Sequence, residues 1–584
     1  MVVGIVSSTL SSALGALTGA ARVLQAFAKD FSNIGESKSK MGASIVKILK
    51  FFSYGTPGKN EPRNAVIMTW AIAQALLFLG SLDLLAAIIT NCFLLTYFFT
   101  NFACFVLKIT GAPNFRPRFK YFSWHTALLG ALLNIVIMFL ASPIFAAVSI
   151  VLMSIVFGLI VYSAPEVPWG DVSQALIYHQ VRKYLLRLDE RKNHPKFWRP
   201  SILLIVDDPA NSIGLIDFCN NLKKGGLYVI GDIVQGELNS AGGAVRELSD
   251  KWNQFIPLIQ VKAFNEVVLA DTYRSGCATL MICAGLGGMR PNTIVLPFME
   301  AKQGLESPLI APQRHNVSGD AIAVLEDIAK IHDGMGDDVR ARKARTGSGV
   351  HINAVPTAEE RADDYVGIIR DALILNKNLL VARDFDQLNK SLIVSQVKYG
   401  EEVGDGEARQ RTVRKSNREV FYIDIWFTDE LDASDLLSYS GNLSLMIQLA
   451  HGLNRTDIWQ SCTKLRLVHL MNQSRGDTIS DDMMKVYRSR LEGLLEESRV
   501  IADLEVLIME LDGNSSVESL TNAFIKKNTP KTAVIFMNLP FPPTVGGEET
   551  DALYMERLST LTDALPPTVL SLAGQNQTVI TTAI

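Results

Sequence analysis

The sequence predicts an α-helical membrane part followed by an α/β domain. Long apolar runs are concentrated before residue 163, whereas short β-rich runs alternate with helical stretches after residue 200. An apolar run of ~20 residues can cross the hydrocarbon core of a bilayer. Alternating strands and helices are typical of a parallel sheet. The length of 584 residues leaves room for several domains.

Composition argues against several function classes. The net charge of −3 gives no indication of a nucleic-acid partner. The six cysteines form no CxxC pair and no metal-ligand spacing; two lie in apolar runs, and the other four are scattered as in a reduced cytosolic domain. The sequence also lacks a catalytic triad and a Walker motif. We therefore expect neither an enzyme nor a bound cofactor.

Five membrane segments are expected within residues 1–163, because each is apolar and approaches the length of a membrane span. Two pairs of segments are joined by very short turns, an arrangement that argues against a buried soluble core. The expected bounds are Val2–Ala28, Ala65–Leu79, Leu82–Leu107, Trp124–Ala141 and Ile144–Tyr162.

Basic residues predict the orientation of these segments. The loop Lys29–Arg63 carries seven Lys or Arg, and the loop Lys108–Lys120 carries four and no acid. Because positive loops stay on the cytoplasmic side, both loops and everything after Tyr162 are expected in the cytoplasm.

A connector, residues 164–194, is expected to contain an amphipathic helix over Trp169–Leu188. Its apolar stripe includes Ile177, Val181 and Tyr184. Two interpretations remain open: the helix lies on its own soluble domain, or it packs on its counterpart in a second protomer.

The α/β region is expected to consist of two similar halves, residues 195–300 and 419–584, separated by a charged, partly disordered insertion at 301–418. Helical pieces at Ala321–Ile331 and Ala358–Leu380 are expected inside the insertion. The expected strands are Ile202–Val206, Leu227–Ile233, Leu258–Val261 and Thr293–Leu296 in the first half, and Val420–Trp426, Lys464–Leu470, Ile501–Leu507, Ala533–Asn538 and Val569–Ser571 in the second.

The first apolar segment holds the candidate site. The hydroxyls of Ser11 and Ser12 and the backbone carbonyl of Ser8 could supply three oxygens to an alkali cation. A hard cation requires several such ligands, so the remainder would come from another helix. The alternative is structural, with hydroxyls bonded to the preceding turn or packed between helices beside Gly15 and Gly19.

A glycine-rich run, Gly285–Thr293, raises the question of nucleotide binding. A phosphate-binding loop normally follows a strand and opens a helix, but this run precedes a strand. A glycine turn is therefore favoured, and a membrane-tethered nucleotide-binding enzyme remains the less favoured alternative.

Several long motifs resemble the cation–chloride cotransporter family, solute carrier family 12, over residues 1–300 and 415–584. They are Gly111–Gly130, Gly170–Arg187, Phe197–Pro200 and Leu222–Val229. The resemblance is closest to the fungal vacuolar branch and its animal relatives.

The resemblance implies a carboxy-terminal fragment of an inverted-repeat, amino acid–polyamine–cation type transporter, namely helices 8–12 and the cytoplasmic domain. It implies symport of chloride with potassium, sodium or both. The segment Gly4–Asp30 resembles helix 8, which makes Ser8, Ser11 and Ser12 part of a sodium-type site and leans toward sodium coupling.

The resemblance also implies a location and partners. The protein would be an integral, multi-pass protein of the vacuolar membrane, with the plasma membrane as the second choice. Its partners would be alkali cations, chloride, the lipid bilayer and a second copy bound through the connector and the cytoplasmic domain. The alternative function is a non-transporting, membrane-anchored regulatory or dimerisation subunit.

Overall fold

The protein divides into two compact units, Met1–Arg187 and Leu188–Ile584, each of which is described by itself. The computed structural model describes residues 2–32, 50–56, 61–78, 81–110, 115, 117–163, 172–188, 198–206, 209, 212–299, 319–345, 357–388, 420–428, 436–473, 481–510, 516–544, 546–547 and 549–574.

The first unit is helical, with bounds close to the expected segments. Among the described residues of this unit, three stretches are long and apolar enough to cross a membrane, Val2–Lys29, Leu85–Ile109 and Trp124–Ala141. The helices are α1 Val2–Ser32, α2 Arg63–Leu77, α3 Leu82–Ile109, α4 Trp124–Ala141, α5 Pro143–Ser163 and α6 Val172–Leu185.

Helices α3 and α4 form the main packed pair of this unit. Leu95, Met138 and Ala146 are buried where α3, α4 and α5 meet. A Cβ added to Gly130 would lie 3.1 Å from Asn101 Oδ1, so the small residue permits close approach of α3. The start of α4 is fixed by a capping box, in which Ser123 Oγ accepts from the Thr126 N–H at 3.2 Å.

The second unit is built on one ten-stranded sheet with the order β3-β2-β1-β4-β5-β10-β9-β6-β7-β8. The strands are β1 Ile202–Val206, β2 Tyr228–Gln235, β3 Phe264–Ala270, β4 Thr293–Pro297, β5 Asn378–Arg383, β6 Phe421–Phe427, β7 Thr463–Gln473, β8 Asp503–Glu510, β9 Thr532–Asn538 and β10 Thr568–Leu572.

The sheet repeats one topology twice. Strands β1–β5 are mutually parallel in the order 3-2-1-4-5, and β6–β10 repeat that order. Of the described strand pairs, only the central β5–β10 pair is antiparallel, with Val381 opposite Leu570. Each half is therefore a doubly wound unit, and the two halves run in opposite directions.

Helices cover both faces of the sheet. One face carries α7 Ile213–Leu222, α8 Leu238–Leu258, α10 Gly319–Arg345, α12 Leu436–Asn454 and α14 Asp481–Ser498. The other carries α9 Tyr273–Cys283, α11 Ala358–Ile374, α15 Val517–Asn528 and α16 Asp551–Thr562. A short helix, α13 Asp457–Gln460, precedes β7. Because helices cover both faces of the sheet around it, β1 is buried throughout and lacks polar alternation.

The expectation of an insertion over 301–418 is wrong at its centre. Helix α11 and strand β5 lie in that range, and β5 pairs with both β4 and β10. The expected helix Ala358–Leu380 ends at Ile374, because Asn376 adopts a left-handed conformation with φ of 53° before the chain enters β5. Apolar residues 379–381 continue the helical run in sequence, which concealed the strand.

Helix α10 also packs on the unit through α8, and it extends beyond the expected Ala321–Ile331. Its buried stripe consists of Ala321, Leu325 and Ile328. Lys251 Nζ lies 2.7 Å from Asp327 Oδ2 at the same contact.

The expected strand Leu258–Val261 is also wrong. Helix α8 runs to Leu258, and the edge strand β3 begins at Phe264. Gln260, with φ of 56°, reverses the chain between them. The buried Val261 fills the core beneath this turn, so its apolar character reports burial rather than extended structure.

A buried ion pair joins strands of the second half. Asp424, fully buried on β6, accepts hydrogen bonds from Arg466 Nε at 2.9 Å and Nη2 at 2.6 Å. Thr532 Oγ1 donates to the same carboxylate, and the guanidinium lies 5.0 Å from the Tyr422 ring centroid. The hydrogen bond to Asp424 raises the pKa of Arg466, which secures its charge.

Asp424→Ala should reduce the free energy of unfolding by about 3–5 kcal/mol, because it removes the buried counter-ion of Arg466 and leaves, among the described residues, only the partly exposed Glu505 carboxylate, 3.6 Å from the guanidinium. Denaturant titration of the full chain in detergent, followed by near-UV circular dichroism, measures this. The matched control is Glu492→Ala, which breaks the exposed Arg488–Glu492 pair and should change the value by about 0.3–0.5 kcal/mol. Equal small losses in both variants would contradict the assignment.

Candidate functional site

The three candidate serines lie on the exposed amino-terminal half of α1. Ser8, Ser11 and Ser12 are all exposed. Residues three and four apart share one helix face, so these three positions form a single polar patch. Helix α1 instead packs against α2 through its other half, where Ala21 and Ala28 are buried.

The patch could supply oxygens to a cation from one helix alone. Hydroxyl and carbonyl oxygens are suitable ligands for a hard cation, but several more are required. Because the three serines are exposed, the described part of the chain does not cover them with a second ligand-bearing element. Thr9 and Thr18 bond within the helix, to the Ile5 carbonyl at 2.9 Å and the Leu14 carbonyl at 3.0 Å.

The glycine-rich run forms a tight turn before β4. Gly285 and Gly287 have φ of 85° and 58°, which favour glycine. Leu286 and Met289 exchange backbone hydrogen bonds of 3.0 Å, and a Cβ on Gly285 would lie 2.2 Å from the Met289 carbonyl oxygen. The turn geometry by itself accounts for these glycines, without a phosphate ligand.

Sequence reasoning missed a basic cluster that the fold assembles. It consists of Lys223 and Lys224 after α7, Lys262 after α8, and His451 and Arg455 at the end of α12. The Lys223–Lys224 pair was visible in the glycine turn before β2. Its companions were not, because they lie 39 or more residues away and on different elements.

Burial, together with neighbouring positive charges, lowers the pKa of three members of this basic cluster. Burial, followed by the charge of Lys262, lowers the pKa of Lys223 to about 8. Burial and Arg455 lower the pKa of Lys224, and burial with Arg455 and Lys224 lowers that of His451. Lys223 Nζ donates to the Lys262 carbonyl and lies 5.3 Å from the Tyr228 ring centroid.

Two family models match the chain. The amino acid permease model matches residues 1–204, and the solute carrier family 12 model matches residues 213–306. Solute carrier family 12 member 9 of Xenopus laevis is 33% identical over 98% of this chain and 60% of its own length. Vacuolar cation-chloride cotransporter 1 of Saccharomyces cerevisiae is 32% identical over 87% of this chain and 41% of its own length.

The chain belongs to solute carrier family 12. The Saccharomyces cerevisiae relative is named a cation-chloride cotransporter, and other relatives are named as members of solute carrier family 12. The animal and fungal relatives are similar to it to nearly the same degree, at 33% and 32% identity.

The chain spans about half the length of the curated relatives it matches, between 41% and 60% for those named above. The crystal structure of the cytoplasmic domain of a prokaryotic cation chloride cotransporter covers 65% of this chain and 98% of its own, at 12% identity and a TM-score of 0.34.

Cysteine substitution should report the exposure of the serine patch. In a chain with Cys92, Cys104 and Cys283 changed to alanine, Ser11→Cys and Ser12→Cys should react with a lipid-permeant maleimide about tenfold faster than Ala21→Cys, which is buried. The measurement is the labelling rate in detergent. Protection of both serine positions to the level of position 21 would show that another element covers them.

The pH dependence of stability should report the lowered pKa of Lys223. Because the folded pKa of Lys223, about 8, lies below its ordinary 10.5, the unfolded chain binds more protons between those values. This group therefore makes stability rise as pH increases from 8 to 10.5. Between pH 7 and pH 10, the melting temperature of wild type should therefore rise relative to that of Lys223→Met. A pH-independent difference between the two would show that the pKa of Lys223 is not lowered in the folded chain.

Proposed function

We propose that this chain is the carboxy-terminal part of a cation:chloride symporter that couples chloride to potassium, sodium or both. The observation that carries the proposal is the succession of the amino acid permease and solute carrier family 12 matches along one chain. Helices α1–α5 would be helices 8–12 of an inverted-repeat transporter. Transport would proceed by alternating access, without covalent chemistry.

The serine patch is proposed as the helix-8 part of a sodium-type site. Ser11 and Ser12 would offer hydroxyl oxygens and Ser8 its backbone carbonyl. The remaining ligands would come from helices preceding those of this chain, which agrees with the exposure of all three serines. The exposed serine patch on α1 would then be the surface that those helices cover.

Membrane location follows from the same proposal. The chain would cross the membrane several times, with the α/β unit in the cytoplasm, because the basic loops favour that side. The vacuolar membrane is favoured and the plasma membrane is the second choice.

A second copy is the proposed protein partner. Ile177, Val181 and Tyr184 on α6 have 52%, 50% and 63% of their surface exposed, an apolar stripe that suits a symmetric helix contact. Val181→Asp should convert a dimer to a monomer by mass photometry in detergent. The control is Arg182→Asp on the same helix, and an unchanged dimer in Val181→Asp would exclude the connector as the contact.

Transport itself is tested by sequencing the transcript upstream of the Met1 codon, then measuring chloride uptake by the encoded protein in proteoliposomes. Seven further helices in phase, with cation-dependent uptake, would support the symporter. A stop codon just upstream, and a chain that moves no chloride, would favour the alternative of an anchored regulatory or dimerisation subunit.

In the longer product, Ser11→Ala should lower sodium-dependent chloride uptake about tenfold, since the loss of one charge-assisted ligand amounts to roughly 1.4 kcal/mol. The matched control is Ser154→Ala on α5, whose hydroxyl bonds the Ile150 carbonyl at 2.8 Å. If uptake depends on potassium alone and is unchanged in Ser11→Ala, the proposed sodium site is excluded, whereas the proposed symport of potassium and chloride is not.

A further inference from the structure

The basic cluster lies where the two halves of the α/β unit meet. Lys223 and Lys224 follow α7 of the first half, whereas His451 and Arg455 end α12 of the second, and α7 packs on α12. Lys262 joins from the turn after α8. A group bound here would contact both halves of the sheet at once.

The turn that carries the two lysines has a fixed conformation. Lys224 and Gly225 have φ of 37° and 78°, and the Gly226 N–H bonds the Lys223 carbonyl at 2.8 Å. A Cβ on Gly226 would lie 1.9 Å from the Pro200 carbonyl oxygen, so the turn is held against the entry to β1. Both lysines are therefore presented from a rigid base, which reduces the ordering needed to bind a ligand.

None of the five basic side chains forms a salt bridge to a carboxylate of the described residues. Arg274, Arg370 and Arg466 of the same unit each pair with an aspartate. Like charges without counter-ions oppose folding, and such groups are candidates for a functional site.

Helix ends do not neutralise the cluster. The carboxyl ends of α7, α8 and α12 approach it, and each contributes roughly −0.5 charge. Their total of roughly −1.5 is smaller than the four positive charges of the three lysines and Arg455 at neutral pH. The remaining positive charge of roughly 2.5 exceeds the charge of about −1.5 to −2 on a phosphate group, so the cluster could neutralise one such group.

We propose that this basic cluster binds the phosphate group of a small anion or of a lipid headgroup. The lysines supply point charges, Arg455 supplies a planar fork suited to two phosphate oxygens, and the neutral His451 supplies one N–H donor. The ligand bridges α7 and α12 and so stabilises the contact between the two halves. This binding is independent of the serine patch and of ion transport.

The test is calorimetric titration of the full chain in nonionic detergent at constant ionic strength. The probes are inorganic phosphate and dioctanoyl phosphatidylinositol 4-phosphate. Wild type should bind at least one probe saturably, and the tighter probe identifies a free anion or a headgroup as the source. Lys223→Gln/Lys224→Gln should weaken binding about 100-fold, roughly tenfold for each lost charge.

The matched control is Lys526→Gln/Lys527→Gln, an adjacent lysine pair in the last turn of α15. It should leave the affinity unchanged. Arg455→Gln provides a second variant from the other half and should weaken binding about tenfold. Saturable binding lost in the cluster variants alone supports the site. No saturable binding of either probe, or equal losses in the control pair, overturns it.

Discussion

The antiparallel contact between β5 and β10 is the constraint on which the second unit depends. Each half-sheet is parallel and would end at an unpaired strand without this contact. Exposed strand edges invite pairing with other chains, so joining them removes a hazard as well as completing the core. Arg383 reinforces the junction from β5 by donating to the Ser559 carbonyl at 2.9 Å and to Thr562 Oγ1 at 2.8 Å.

Joining the halves in opposite directions creates surfaces that neither half has alone. Helices α7 and α12 come from corresponding crossovers, and they meet on one face of the sheet. The basic cluster occupies that meeting place. Burial and the repulsion between its lysines and arginine both disfavour the charged lysines, so the fold tolerates an electrostatic penalty there that a neutral surface would avoid.

The first unit, Met1–Arg187, is packed unevenly. The α3–α4 pair is closely packed around Met138, whereas the amino-terminal half of α1 exposes its serines. The proposed cation site requires a covering element that supplies further oxygens to these hydroxyls. The proposed site and the proposed additional helices therefore depend on one another, because the helices would supply the missing ligands of the site.

The sequence by itself determined the helix bounds in the membrane unit, because a span such as Trp124–Ala141 is a long apolar run with a clear cap and stop. It also determined buried strands such as β1. Only the tertiary structure decided that β5 is a strand, since the sequence predicted helix as far as Leu380 and only the pairing with β4 and β10 shows extended structure there. The serine patch was local and therefore predictable. The basic cluster was not, because folding brings together Lys223, Lys262 and Arg455 from elements distant in the chain.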